Sequence, residues 1–140
     1  MCLNRLLTMP EGVEEVVGYK VYYKCDGRYH SVCQNTDIAY ELGHVYQDQR
    51  GVYTISKGDA SYGTGYHVYE NIDDAIAGMR EAYTQQAQRG YMTSVAFYRD
   101  YNYVIVKVRL KQFTAYGEQY ENVRIFVGRE VELLEEISAK

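Results

Sequence analysis

The sequence predicts an α+β fold in which a mostly antiparallel sheet carries one main helix. Two segments, residues 17–25 and 103–110, alternate apolar and polar side chains with the period of two that is typical of half-buried strands. One segment, about residues 72–89, repeats apolar residues at helical spacing. Because strands precede and follow this single helix, we expect the helix to pack on one face of the sheet.

The composition places the chain among soluble globular proteins and excludes some partners. The chain has 140 residues, a net charge of −4 and an apolar share of 46%. The acidic balance disfavours nucleic acid as a partner, because nucleic-acid binders usually carry a basic excess. With no apolar run of about 18 residues and no export signal, we expect a cytoplasmic protein without membrane contact. We divide the chain into an N-terminal extension, residues 1–16, and a single α+β domain, residues 17–136.

The pair Asp26-Gly27 predicts a hairpin turn between the strand of residues 17–25 and a partner strand of residues 28–33. In that register Cys25 lies opposite Arg28, and Cys33 lies opposite Lys20, so we expect the two thiols to be unlinked. Further elements predicted before the helix are a helical turn at residues 37–40, short strands at 43–47, 52–56 and 66–70, and a loop at 60–65.

The helix itself has a clear start and end. Asn71 can cap it, and Asp73 and Asp74 fall in its first turn, where the helix dipole favours negative charge. Gly90 predicts its end.

The C-terminal part predicts further strands. After the strand of residues 103–110, residues 111–120 read as a connection with Gly117 at its turn, and residues 123–134 read as the last strands. Gly128 favours a bulge that would redirect Arg129.

No catalytic or metal-binding signature emerges. Cys25, His30 and Cys33 are metal-ligand types, but the hairpin register puts Cys33 on the opposite face, whereas a metal needs converging ligands. The glycine-bearing stretch of residues 58–65 leads into a strand, so no helix N-terminus is there to hold phosphate. We therefore predict no catalysis, no metal and no cofactor.

Seventeen tyrosines, beside three phenylalanines and no tryptophan, are the strongest remaining signal. Tyrosine covers sheet faces well, and it is also enriched where proteins contact one another. If the tyrosines serve contact with another protein, the sequence predicts a binding surface made of Tyr62, Tyr66, His67, Tyr69, Tyr98, Arg99, Tyr101, Arg109 and Arg129. Its partner would be another protein, with a homo-oligomer left open.

The alternative is a domain that binds a small ligand or nucleotide, or a degenerate transferase, with His67, Tyr69, Arg99, Arg109 and Arg129 lining a pocket. His67 alone reads as a structural strand histidine.

Three stretches of the sequence, taken together, are similar to segments found in a known group of proteins. They are Gly18-Tyr19-Lys20-Val21-Tyr22, the segment of residues 40–46, and the segment of residues 65–71 that leads into the helix. Together with the final Val-Gly-Arg-Glu segment, they resemble small proteins of phages and bacterial mobile elements, in which a Gly-aromatic-His-aromatic strand precedes a helix. The resemblance implies a phage accessory protein that acts inside a host cell, and with the protein-contact reading it suggests a host antagonist whose partner is a host factor. It implies no particular reaction.

Overall fold

The computed structural model describes residues 3–32, 38–50, 54–57, 60–92 and 102–137, except for the side chains of residues 57 and 86–92. It contains nine strands and one helix within these ranges. The strands are β1 (Arg5–Leu6), β2 (Glu15–Cys25), β3 (Arg28–Ser31), β4 (Val45–Gln47), β5 (Thr54–Lys57), β6 (Ala60–Gly63), β7 (Tyr66–Tyr69), β8 (Asn102–Tyr120) and β9 (Val123–Ile137), and the helix is α1 (Ile72–Met92). The predicted α+β class, with a mostly antiparallel sheet and one main helix, is confirmed.

The long β8–β9 hairpin organises a sheet that closes on itself. β8 pairs with β9 along one edge and with β2 along the other. β7 pairs with β9 and, through Tyr19 and Tyr69, also with β2. The circuit β8–β2–β7–β9 therefore returns to β8, and the sheet forms a small barrel.

The two faces of this closed sheet bury different cores. One core contains Tyr22, Val106 and Phe126 but no described residue of α1 or of the β5–β6 hairpin. The other combines Ile105 of β8 with Ala75 of α1 and with residues of β5 and β6. The helix and the β5–β6 hairpin are too large to lie inside the barrel, so the first core is the barrel interior. The second core lies outside the barrel, and we call it the outer core.

The predicted turn at Gly117 is wrong. β8 continues to Tyr120, and the hairpin turns at Glu121 and Asn122, where Asn122 adopts the left-handed conformation (φ 65°). Gly117 lies inside the strand, where it pairs with Leu6 of β1. The two chains approach so closely that a Cβ at Gly117 would collide with the carbonyl oxygen of Arg5.

The predicted loop at residues 60–65 is also wrong for most of its length. Residues 60–63 form β6, which pairs with β5 and buries Ala60 and Tyr62. The two glycines suggested a loop, but burial of alternate side chains on the outside of the barrel holds this segment as a strand.

The last strands are a single strand, β9. The β8–β9 ladder changes register where Phe113 pairs with Gly128 and Ala115 pairs with Val127, which leaves Thr114 of β8 as the extra residue. The irregularity thus falls at Gly128, as predicted, although the bulged chain is its partner.

The N-terminal half agrees with several predictions. Cys25 pairs with Arg28, as the Asp26-Gly27 turn requires, and Cys25 is an unlinked thiol. Cys33 lies outside the described residues. Of the segment set apart as an extension, Leu3 is fully buried in the outer core, and β1 belongs to the main sheet.

The remaining short elements shift by a few residues. The predicted helical turn at residues 37–40 falls partly outside the described residues, and Tyr40 bridges to Tyr29 instead. The helix begins directly after Asn71, as predicted, and runs two residues past Gly90. No helix in the described ranges has the length and apolar character needed to cross a bilayer.

Candidate functional site

Three of the predicted surface tyrosines are core residues. Tyr66 lies in the barrel interior, and Tyr62 and Tyr69 lie in the outer core. All three rings are buried, which does not fit a role as exposed contacts of this fold. Strand alternation places them on buried faces, where the large apolar ring of tyrosine stabilises the fold more than it would on a solvent-exposed surface.

Arg109 and Arg129, the two predicted arginines within the described residues, belong to different groups of side chains. Arg109 lies on the outside of the barrel, where it pairs with Glu15 at 2.8 Å and with Glu132 at 2.7 Å. Arg129 joins a different group of residues. Tyr98, Arg99 and Tyr101 lie outside the described residues.

Arg129 belongs to a cluster with Asp48 and Arg50. Asp48 follows β4, and its side chain is fully buried. Arg50 donates hydrogen bonds to the carboxylate of Asp48 from Nε (3.0 and 3.1 Å) and from Nη2 (2.6 Å). Arg129 Nη2 donates to the backbone carbonyls of Asp48 (3.0 Å) and Arg50 (2.8 Å). The two arginines thereby fix the backbone of residues 48–50 in place.

The carboxyl of Asp48 is held in its charged form. Burial by itself would raise its pKa, but hydrogen bonds from Arg50 and the charges of Arg50 and Arg129 outweigh burial, and the net pKa lies below its ordinary value. The arginine side chains are each 18% exposed, whereas that of Asp48 is 0% exposed. The cluster therefore reaches the surface at its arginine end.

Gly65 connects this cluster to His67. Its carbonyl oxygen accepts from Arg50 Nη2 at 3.0 Å and from His67 Nδ1 at 3.2 Å. Gly65 has room for no side chain, because a Cβ would lie 2.6 Å from the carbonyl oxygen of Gly128. Glycine is thus needed for the close approach that brings this carbonyl between the two side chains.

His67 is a partly buried neutral base. Since a carbonyl can only accept, Nδ1 carries the proton, and Nε2 accepts from the hydroxyl of Tyr62 at 3.0 Å. That hydroxyl in turn accepts from the backbone N–H of Leu3 at 2.9 Å. Burial, followed by the charge of Lys20, lowers the pKa of His67 to about 3. The interpretation of His67 as a structural strand histidine agrees with these bonds.

Next to Asp48 and Arg50, the barrel interior is lined by tyrosine rings. Tyr40 is central: its ring centroid lies 4.7 Å from that of Tyr46, 5.8 Å from Tyr22 and 6.3 Å from Tyr66. Burial raises the pKa values of Tyr22, Tyr40 and Tyr66, and the charges of Asp48 and Arg50 act on Tyr40 and Tyr66. The phenols are therefore protonated at neutral pH and close to the charged cluster.

Four buried polar atoms in this region lack a hydrogen bond within the described part of the chain. They are Tyr22 Oη, Tyr40 Oη, Thr64 Oγ1 and Arg129 Nη1. Tyr22 and Tyr40 are 0% exposed and Thr64 is 1% exposed. The side chains of Tyr66 and Ser31 lie close enough to Tyr40 to act as hydrogen-bonding neighbours that oppose the rise of its pKa by burial. No hydrogen bond of ordinary geometry joins either of them to Tyr40 Oη. We call the residues that carry these four atoms, together with Tyr66, Asp48 and Arg50, the tyrosine–arginine cluster.

A fifth such atom, His30 Nδ1, belongs to the β2–β3 hairpin, where the His30 ring stacks on Tyr23 at 4.9 Å. Among the described residues, no group of three or more acidic, histidine or cysteine side chains is placed to hold a metal ion.

Sequence reasoning named only Arg129 and Tyr66 of this cluster. Asp48, Arg50, Tyr22, Tyr40 and Thr64 were missed as site residues because their meeting depends on how the sheet closes. The only local signal is the spacing of Asp48 and Arg50, which lets an arginine fold back on a carboxylate two residues away.

Comparison of the chain with protein-family models, with curated proteins and with solved structures gives no match. We therefore infer the function from the geometry of the tyrosine–arginine cluster.

Proposed function

We propose that the protein is a binding module that holds a small molecule at the tyrosine–arginine cluster. The observation that carries the proposal is the set of four buried atoms without a hydrogen bond: Tyr22 Oη, Tyr40 Oη, Thr64 Oγ1 and Arg129 Nη1. A buried polar group without a partner costs roughly 1–3 kcal/mol. Tyr40 contacts Tyr22 and Tyr66 through their rings, and Arg50 joins Asp48 to the carbonyl oxygen of Gly65, the neighbour of Thr64. A ligand bound at these residues would supply the missing partners.

The surroundings support the same proposal. Arg129 is fixed by two backbone carbonyls, so its Nη1 edge is held in place without help from a ligand. The tyrosine rings pack edge to face and restrict one another. Such preorganised donors lower the entropic cost of binding. The partly exposed arginine end gives a ligand a side from which to approach.

This proposal follows the small-ligand alternative predicted from the sequence but changes the residues of the site. Arg129 is kept from the predicted pocket, and Tyr22, Tyr40 and Thr64 take the place of Tyr69, Arg99 and Arg109. It assigns binding and no chemical step. The other reading, contact with a host protein by a phage-type accessory protein, remains a proposal. Of its predicted surface, Arg109 is partly exposed on the outside of the barrel, and Tyr98, Arg99 and Tyr101 lie outside the described residues.

Deleting single hydroxyls tests the proposal without knowledge of the ligand. In Tyr22→Phe, Tyr40→Phe and Thr64→Val, a buried hydroxyl without a partner disappears. We expect the free energy of unfolding of the ligand-free protein to stay equal to that of the parent or to rise by about 1 kcal/mol. A site retained for binding rather than stability has this signature.

Two tyrosines with partners serve as controls. The hydroxyl of Tyr29 donates to Glu136 at 2.8 Å, and that of Tyr116 donates to Glu70 at 3.1 Å. Tyr29→Phe and Tyr116→Phe should each lose about 1 kcal/mol in urea unfolding. If Tyr22→Phe and Tyr40→Phe lose as much as these controls, the hydroxyls serve the fold and the proposed site is refuted.

A further inference from the structure

The chemistry of the cluster narrows the class of ligand. All four atoms without a hydrogen bond can donate, because a guanidinium is a donor only and a protonated hydroxyl carries one hydrogen. The buried phenols stay protonated at neutral pH, since burial raises the pKa values of Tyr22 and Tyr40. A ligand that satisfies four donors must be rich in acceptors.

The charges of the cluster point the same way. Asp48 contributes one negative charge, and Arg50 and Arg129 contribute one positive charge each, so the three residues sum to +1. Arg129 Nη1 lies 3.6 Å from the Asp48 carboxylate, which is beyond hydrogen-bond distance. The Nζ of Lys20 adds positive charge 5.8 Å from the centre of the Tyr22 ring. An anion would meet a favourable field there.

Building on the proposed function, we infer that the ligand carries an oxyanion, a carboxylate or a phosphate, which pairs with Arg129 and accepts from the hydroxyls of the cluster. Arginine suits this role because its planar fork matches both groups. Carboxylate and phosphate share the required chemistry, and the experiment separates them.

Two matched pairs of probes test this inference. Benzoate and benzamide have the same ring and differ in charge, as do phenyl phosphate and phenol. Binding of each is measured by amide chemical shifts of the labelled protein at concentrations up to about 10 mM, which detects contacts worth roughly 3 kcal/mol. We expect at least one anion to bind about tenfold or more tightly than its neutral partner, with the largest shifts at Thr64, Gly65 and Arg129. Benzoate and phenyl phosphate distinguish the carboxylate from the phosphate.

Substitutions then locate the binding. Tyr40→Phe should weaken binding of the anion about tenfold, and Arg129→Lys, which keeps the charge but loses the fork, should weaken it at least as much. The matched control Arg109→Lys changes an arginine on the outside of the barrel and should leave affinity unchanged. Should Arg129→Lys fail to fold, Tyr40→Phe decides alone.

The outcomes separate the inference from the proposed function. If charged and neutral probes bind equally well and Tyr40→Phe weakens the binding of both, the site is upheld and the inference that the ligand is an anion is overturned. Anion binding that neither Tyr40→Phe nor Arg129→Lys affects would place an adventitious ion elsewhere and overturn the inference. If all four probes fail to bind, the site itself is refuted together with the inference.

Discussion

Arg50 and His67 donate hydrogen bonds to one acceptor, the carbonyl oxygen of Gly65. The shared acceptor joins the charged pair of Asp48 and Arg50 to the neutral pair of His67 and Tyr62. Asp48 holds Arg50 in place beside this carbonyl. Because a carbonyl oxygen can only accept, Nδ1 of His67 must carry the proton, and the Gly65 carbonyl therefore fixes the tautomer of the imidazole. The positive charge of Arg50 also disfavours protonation of His67.

The first prediction concerns the stability of the protein in mild acid. Burial lowers the pKa of His67 to about 3 in the folded state, and its ordinary value is 6.5. The unfolded chain therefore binds a proton that the folded chain does not, and stability that is complete above pH 6.5 falls as the pH drops toward 3. Linkage limits the loss to about 1.4 kcal/mol per pH unit, or about 2 kcal/mol between pH 7 and pH 5.

Comparing His67→Gln with the parent isolates this contribution. Urea unfolding at pH 7, 6 and 5 should show a smaller loss of stability for His67→Gln, because no imidazole titrates at that position. His44→Gln replaces a largely exposed histidine and should follow the parent. Identical pH profiles for His67→Gln and the parent would show that His67 is not held neutral.

The second prediction is that Asp48→Asn destabilises the protein by about 3 kcal/mol at neutral pH. Removing the buried carboxylate leaves Arg50 and Arg129 without their counter-charge. Because the pKa of Asp48 is lowered in the folded state, its contribution is present above the ordinary pKa of about 4 and is lost as the pH falls through the folded value.

The gap between Asp48→Asn and the parent should therefore narrow from pH 7 to pH 3 in urea unfolding. Asp73→Asn, on the exposed start of α1, is the matched control and should cost less than about 1 kcal/mol. A cost for Asp48→Asn as small as that of the control would mean that the arginines do not need the carboxylate.

Local patterns predicted the parts of the fold that local rules determine. The turn at Asp26-Gly27 requires two residues in the left-handed conformation, and both adopt it, with φ values of 53° and 76°. The helix start after Asn71 follows from its capping residue and acidic first turn. The turn predicted at Gly117 was wrong because a glycine needed for the close approach of β1 cannot be distinguished in the sequence from a glycine in a turn.

The site could not be predicted in the same way. Asp48, Thr64 and Arg129 lie on separate segments, and the closure of the sheet brings them together. Alternation placed Tyr22 and Tyr66 on faces of strands but did not say which face turns inward. That depends on the pairing of β7 with both β2 and β9. Nothing in the period of a single strand specifies this pairing.

The third prediction tests the contact of the helix with the outer core. Met79 packs against that core, and Met79→Asp would place a carboxylate against its apolar side chains. We expect a loss of about 2 kcal/mol or more, because a charge removed from water without a partner is costly. Gln85→Asp introduces the same residue at an exposed position of the same helix and should change stability by less than about 0.5 kcal/mol. Equal melting temperatures of the two variants would contradict the packing of Met79.

The last prediction concerns Gly78 in α1, which faces the tip of Tyr69. A Cβ at position 78 would collide with the Tyr69 hydroxyl and lie 3.0 Å from its Cζ. Alanine is normally favoured over glycine inside a helix by about 1 kcal/mol. Here we expect Gly78→Ala to destabilise the protein by about 1 kcal/mol, because the buried ring of Tyr69 has little freedom to withdraw and overpacking typically costs 1–3 kcal/mol.

A double-mutant cycle identifies the cause. In a Tyr69→Phe background the colliding oxygen is absent, so Gly78→Ala should become neutral or stabilising, and the coupling energy should exceed about 1 kcal/mol. Ala77→Gly, at the exposed neighbouring position, measures helix propensity alone and should cost about 1 kcal/mol. If Gly78→Ala stabilises the parent as much as Ala77→Gly destabilises it, the tip of Tyr69 does not touch the helix at Gly78.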